Sequence, residues 1–317
     1  MKHAQAFSNF LSGTVNLNPT RIEILEQRAN TIKGLLKNSE LLKENYVDAR
    51  EQGSWALKTI IKPRPNKEFD ADIRIYLNEF PDWEPKDYIE NIYSFFCSNS
   101  AYSDMVSRKT RCLTLNYSGD FHLDVIPCLQ KAQEFFVMNR HENLMEPTDG
   151  DGYTEWFKSQ DKIVGGKTLI KVVRLVKYLR DIKQTFTAKS VLLTTLLAHQ
   201  IGTIESYDDF KDIPTSLCTI SNRLNNFLQV NLNMPIIKNP ALPEEDFNRH
   251  WDQDKYNNFR EKWCTYTEKM NSAISETSRD ESIKKWRIIF GDEFGTLTEN
   301  SSKTFQISTS PASPWGK

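Results

Sequence analysis

Between Glu68 and Leu77 the chain alternates strictly. Phe69, Ala71, Ile73, Ile75 and Leu77 fall on one side, and Asp70, Asp72, Arg74 and Tyr76 on the other. That period of two predicts a half-buried strand, starting after Pro63 and Pro65. Nearer the start, Pro19-Thr20 opens a helical pattern in which Ile24, Ala29, Ile32, Leu35 and Leu36 keep rough helical spacing. Pro19 after Asn18 suits a first turn, and the pattern predicts a helix running to about Ala49. Glu51-Gln52-Gly53-Ser54-Trp55 reads as a turn beside an apolar stretch. Tyr88–Cys97 predicts a helix, and Thr110–Tyr117 with Phe121–Ile126 predict two strands joined by a hairpin turn at Ser118-Gly119-Asp120. In the second of these strands His122, Asp124 and Ile126 share one face.

Past about residue 150 the strand signals fade. Lys167–Lys183, Ser190–Ile201, Leu217–Val230, Asp254–Thr277 and Glu281–Phe290 all carry helical spacing. The expected fold class is therefore α+β: a mixed-sheet lobe over 1–150 with an N-terminal helix, then a helical lobe over 151–295. The tail 296–317, rich in Ser, Thr and Pro, lacks periodicity and is expected to be poorly ordered.

Composition narrows the class. Lys plus Arg is 41 and Asp plus Glu 42, a net charge of −1, so no global basic field argues for tight nucleic-acid binding. Only 12 Gly and 13 Pro occur in 317 residues, against collagen-like or low-complexity chains. Met1–Phe10 has no apolar core of signal-peptide type. No stretch reaches the about 18 uninterrupted apolar residues that a bilayer span needs. The five cysteines (Cys97, Cys112, Cys128, Cys218, Cys264) are odd in number, scattered and without a C-x-x-C pair. They read as thiols in a reducing cytoplasm, not as a disulfide framework or a zinc site.

Asp70 and Asp72 stand two apart on one strand, so both point to one face. Carboxylates that close repel unless a cation lies between them, and a divalent metal suits such hard oxygen ligands. A bare D-x-D also fits the solvated face of an edge strand. Further features point to chemistry. Gly53-Ser54 lies upstream, where a Gly admits close approach of backbone to a phosphate and the Ser hydroxyl can hydrogen-bond it. Asp124, on a later strand, can complete a three-carboxylate site. Phosphoryl transfer needs positioning and charge neutralisation, and two metals on shared carboxylates supply both. His122 and Tyr76 share faces with these aspartates and read as packing residues first, as does Trp55. Gly165-Gly166-Lys167 lacks the spacing of a Walker loop, and no Ser-His-Asp or Cys-His motif is present.

Taken in order, these motifs resemble the polymerase-beta-type nucleotidyltransferases and, more narrowly, the bacterial CD-NTases, akin to cyclic GMP-AMP synthase and the dinucleotide cyclases. The resemblance runs through Phe7-Ser8-Asn9-Phe10-Leu11, Gln52-Gly53-Ser54-Trp55, Thr59–Pro63, Glu68–Ile73 and Phe121–Cys128. It continues in Gly152–Phe157, Val173–Leu179, Phe247–Trp251, Trp286 and Phe290-Gly291-Asp292. Where the family often has Gly-Thr, this chain has Lys58-Thr59, and its cysteines offer no counterpart to the zinc ribbon of the animal relatives.

The resemblance implies a polymerase-beta-like lobe, a helical second lobe and an active site in the cleft between them. It implies that Asp70, Asp72 and Asp124 bind two Mg²⁺ ions, with Mn²⁺ as a substitute, and that Gly53 and Ser54 hold the donor triphosphate. Arg174 and Lys177, three apart on one predicted helix face, would reach the same phosphates. They belong to a locally basic run with Lys162, Lys167, Lys171, Arg180 and Lys183. The implied reaction joins NTP substrates into a cyclic di- or trinucleotide second messenger for antiphage signalling, read by a downstream effector protein. A linear oligonucleotide synthase, an RNA-end nucleotidyltransferase and a catalytically dead nucleotide- or RNA-binding module are the alternatives. The single aromatic near the end of the tail, Trp315, is of the type that anchors short docking motifs.

Overall fold

The computed structural model describes residues 1–297. The expected disorder of the tail and its docking role thus fall, from residue 298 on, outside the described residues. The order of elements is α1 (Ala4–Phe10, continuing as a π-helical turn, Leu11–Val15), α2 (Pro19–Lys37), β1 (Tyr46–Gln52), α3 (Gly53–Ala56) and β2 (Phe69–Leu77). Then come α4 (Pro85–Cys97), β3 (Val106–Arg108), β4 (Leu113–Tyr117), β5 (Phe121–Lys131), β6 (Glu134–Asn139) and β7 (Leu144–Pro147). The second half holds α5 (Gly150–Ile163), α6 (Thr168–Lys183), α7 (Ser190–Ala198), α8 (Tyr207–Phe210) and α9 (Ile213–Val230). A small hairpin, β8 (Lys238–Asn239) and β9 (Leu242–Asp246), precedes α10 (Gln253–Ser275) and α11 (Arg279–Phe290).

Helix α2 starts as expected: Asn18 accepts from the Thr20 amide at 2.8 Å and Pro19 occupies the first turn. It ends twelve residues short of the predicted Ala49. The Ser39 hydroxyl donates to Leu36 O at 2.7 Å and its own carbonyl takes the Leu42 and Lys43 amides, which turns the chain. Tyr46–Gln52 then leave as the edge strand β1. Only partly buried, this strand shows too little hydrophobic alternation to betray itself.

The main sheet has the order β1-β2-β5-β4-β3, with β6 and β7 continuing from the far half of β5. All pairs are antiparallel except β2 with β5, which is parallel. One face carries the alternating apolar set of β2 with Leu113, Leu115, Phe121, Leu123 and Val125. It is sealed by Leu25, Ala29, Ile32 and Leu36 of α2 and by Tyr88, Ile89, Ile92 and Phe96 of α4. Truncating such a buried Leu or Ile to Ala typically costs about 2–5 kcal/mol, so this core anchors the sheet whose opposite face is polar.

A second cluster joins the helices α5 to α11. The N-terminal helix, grouped by sequence with the first lobe, packs into this cluster through Phe7, Phe10, Leu11 and Val15. Phe7 meets Trp286 edge-on at 4.9 Å, and Phe10 meets Tyr178 at 5.2 Å. The apolar run of α7 is the buried helix that its composition suggests, and no described helix is long and apolar enough to cross a membrane.

Candidate active site

The parallel register of β2 and β5 sets Asp72 beside Asp124 and Asp70 beside His122. Gln52 flanks Asp72 on β1, and Thr114 flanks Asp124 on β4. A row of four polar side chains, Gln52-Asp72-Asp124-Thr114, thus crosses the sheet on the face away from α2 and α4. Thr114 Oγ1 donates to Asp124 Oδ1 at 2.5 Å, and Cys112 Sγ to Asp124 Oδ2 at 3.4 Å. Lys109 Nζ lies 3.2 and 3.0 Å from the two Asp124 oxygens. Burial works against the Lys109 charge, but Asp124 outweighs it and holds the ammonium above the usual lysine range.

Asp72 is half-buried. Loss of solvent, and then the neighbouring Asp124 and Asp70 carboxylates, push its pKa up to about 7. Asp70, with 73% of its side chain exposed, meets His122 Nδ1 at 3.2 Å. The other nitrogen of His122 is 2.5 Å from Glu68. His122 therefore orients Asp70 and does not pack in the core.

Gly53 begins α3 with φ +59°. A Cβ built there would lie 2.6 Å from Asp72 Oδ2, so only glycine admits both the left-handed backbone and the contact with the carboxylate. Ser54 follows at the same edge. Its carbonyl accepts the Thr59 amide at 2.8 Å, which folds 54–59 into a tight loop over the sheet.

Arg174 and Lys177 reach this loop from α6. Arg174 Nε and Nη2 donate to Lys58 O at 2.8 and 2.5 Å, and Nη1 to Asn16 Oδ1 at 2.9 Å. Lys177 Nζ donates to Thr59 O at 2.9 Å. Lys177 is buried, and loss of solvent followed by Arg180 lowers its pKa to about 7. The residue that departs from the family's Gly-Thr has a local explanation. Lys58 adopts φ +55°, the region a glycine enters freely, and Arg174 holds its carbonyl there. Arg180 of the basic run binds Asp181 and Ala188 O, so these three residues of the run bind within the protein.

The remaining candidates are structural. Tyr76 is buried and donates to Asp151 at 2.9 Å; Trp251 is buried with its indole on Thr187 O. Trp55 is half-buried beneath Lys33. Sequence reasoning missed Lys109 and Thr114. Thr114 was within reach: a hairpin turn at 118–120 fixes a register that pairs Asp124 with Thr114. Lys109 sits outside the strands, and its spacing carries no signal.

The donors suit a hard divalent cation: three carboxylates lie on one face, two of them adjacent in register, and one already holds a cationic ammonium. Among the described residues no three acidic, histidine or cysteine side chains converge as a ready-made cage. Asp70 lies against His122, and Asp124 is held by Lys109, Thr114 and Cys112.

A mixed sheet bearing three aspartates, a Gly-Ser loop above it and a helical lobe alongside define a polymerase-beta-like nucleotidyltransferase. The family model described as the Second Messenger Oligonucleotide or Dinucleotide Synthetase domain matches residues 1–161. The chain belongs to that family, among the bacterial CD-NTases. It is similar to the c-di-GMP synthase of Roseivirga ehrenbergii, 23% identical over 319 residues, covering 90% of this chain and 82% of that one. It is also similar to the cyclic AMP-AMP-AMP synthase of an Acinetobacter species, 21% identical over 310 residues, covering 95% and 88%. The fold matches that of Escherichia coli MS115-1 CdnC with ATP: TM-score 0.73, 17% identity, 92% of this chain and 99% of that one.

Proposed function

We propose that the chain joins NTPs into a cyclic di- or trinucleotide second messenger that a downstream effector protein reads in antiphage signalling. The observation that carries this reading is the register of Asp72 with Asp124, which brings carboxylates from distant strands together beneath the Gly53-Ser54 loop. Asp70, Asp72 and Asp124 would hold two Mg²⁺ ions, with Mn²⁺ as a substitute. When bound, these ions activate a ribose hydroxyl and neutralise the leaving pyrophosphate. The rest falls to the chain itself. Gly53 leaves room for the triphosphate, and Ser54 donates to it. Arg174 and Lys177 complete the nucleotide-binding set, since both end on carbonyls of the segment after Ser54. They fix that segment against the phosphates, or exchange a carbonyl for a phosphate oxygen.

The ribose hydroxyl attacks the α-phosphorus and gives up its proton to a site carboxylate and from there to water, the bond to the β-phosphate breaks, and pyrophosphate leaves. Repetition gives a short chain whose two ends lie in one cleft. Closure is then unimolecular, with a large advantage over capture of another nucleotide. Ring products are also what the names of both curated relatives state. The test is incubation of the purified chain with labelled NTPs, singly and mixed, and Mg²⁺ or Mn²⁺. A product untouched by alkaline phosphatase is expected, and none from Asp70→Ala/Asp72→Ala. A phosphatase-sensitive end or a ladder of lengths would make this a linear oligonucleotide synthase.

A further inference from the structure

The turn between β3 and β4 is firmly built. The Lys109 amide donates to Cys112 O at 2.8 Å, and the Arg140 amide to Thr110 O at 2.9 Å. From this fixed base the Lys109 side chain, 53% exposed, reaches over the sheet to Asp124, which is 14% exposed. Thr114 and Cys112 also touch Asp124, but both are neutral donors. Among the described residues, Lys109 is the one cation within ion-pair distance of Asp124. The other cations of this edge are committed elsewhere. Arg108 and Arg140 share Glu90, and Arg111 holds Glu146.

We propose that Lys109 is the resident counter-ion of the metal-free site, and that it passes to a phosphate of the bound nucleotide when a divalent cation takes Asp124. The proposal rests on the reading of Asp70, Asp72 and Asp124 as metal ligands. An ammonium and a divalent cation cannot share the same two oxygens, because like charges a few ångströms apart repel strongly in a half-buried cleft. The backbone of the turn is pinned, so Lys109 leaves by rotation of its flexible four-carbon side chain. The nearby carboxylates Glu90 and Glu146 already hold guanidinium groups. The incoming anion is the nucleotide's phosphate chain, which arrives with the metal and accepts a charge-assisted hydrogen bond from an ammonium. Lys109 would thus balance the carboxylates before the substrate arrives and position the substrate afterwards.

The two roles predict effects of opposite sign. Mn²⁺ binding to the full chain is followed by electron paramagnetic resonance, alone and with a non-hydrolysable NTP analogue. Lys109→Met should bind Mn²⁺ alone about three- to tenfold more tightly, because a competing cation is gone. The same variant should bind the analogue in the presence of saturating Mn²⁺ about tenfold more weakly. Lys109→Arg, which keeps the charge, should stay near wild type in both. Unchanged or weaker binding of Mn²⁺ alone by Lys109→Met overturns the counter-ion role. Unchanged affinity for the analogue overturns the transfer to phosphate. Asp70→Ala/Asp72→Ala serves as the separate control: full Mn²⁺ affinity there overturns the metal reading itself, whatever Lys109→Met does.

Discussion

Lys177→Met removes one buried charge and keeps most of the side-chain volume, so it separates two opposing contributions. Lys177 is 4% exposed, and its ammonium donates to Thr59 O at 2.9 Å. Burial, then Arg180 and more weakly Arg174, lower its pKa from 10.5 to about 7, against partial support from Asp181 and Asp72. The unfolded chain keeps the ordinary lysine value, so between about pH 7 and 10 it binds more protons than the folded chain. Stability due to this group therefore rises with pH across that window, and below it the folded state carries the full cost of a buried ammonium. At about 1.4 kcal/mol per tenfold in proton affinity, that cost is on the order of 3–5 kcal/mol. Against it stands the Thr59 carbonyl, which loses its donor in the variant at a cost of about 1–3 kcal/mol at any pH. Near pH 6.5 the variant should accordingly be as stable as wild type or more so. By about pH 9.5 its advantage should have fallen by on the order of 2–3 kcal/mol. Urea unfolding of both proteins across that range, with free energies from midpoint and slope, measures the difference. A difference that stays constant with pH, or that grows, refutes the argument that Lys177 is a desolvated cation.

Gly53→Ala should lower stability by about 1–3 kcal/mol through left-handed strain and contact with Asp72 Oδ2, and should collapse pyrophosphate release; denaturant unfolding and a pyrophosphate assay read both. Lys58→Gly should raise stability by a few tenths to about 1 kcal/mol, because it relieves the left-handed backbone at φ +55° and outweighs the entropy that glycine loses; a lower thermal midpoint would show that the lysine side chain stabilises the loop.

Much of the first lobe was readable because its signals are local. The alternation of 69–77 marks β2 and its buried face at once, and Ser118-Gly119-Asp120 marks the β4–β5 hairpin. The elements that escaped are those whose burial depends on distant partners. β1 is an edge strand of mixed polarity, and its place follows only from pairing with β2. β6 and β7 hang from the extension of β5 past Ile126, where Pro127 and Cys128 give no strand pattern of their own. Helix α5 (Gly150–Ile163), which the sequence reading did not predict, was hidden for another reason. Gly150 and Gly152 are poor helix formers, yet Asp149 caps the helix by accepting from the Gly152 amide at 2.7 Å.

The site divides along the same line. That Asp70 and Asp72 share a face is a property of one strand, visible in any D-x-D. That Asp124 stands against Asp72 is a property of a parallel pair separated by about fifty residues, which only the assembled sheet supplies. The three-residue spacing of Arg174 and Lys177 does place them on one side of α6, and both indeed turn toward the Gly-Ser loop. What spacing cannot reveal is the atom at which each side chain ends. Arg174 ends on the carbonyl of a lysine held in a glycine's conformation, and Lys177 on the carbonyl beside it. The helical lobe thus grips the loop by its backbone, a contact that carries no residue signature on the loop side. A shift of α6 along its axis would move Lys58 and Thr59 directly, and with them Ser54, whose carbonyl holds the Thr59 amide. The face that carries the three aspartates is backed by the hydrophobic layer that the sheet shares with α2 and α4, whereas the loop above it is held through Lys58 and Thr59 by the other lobe.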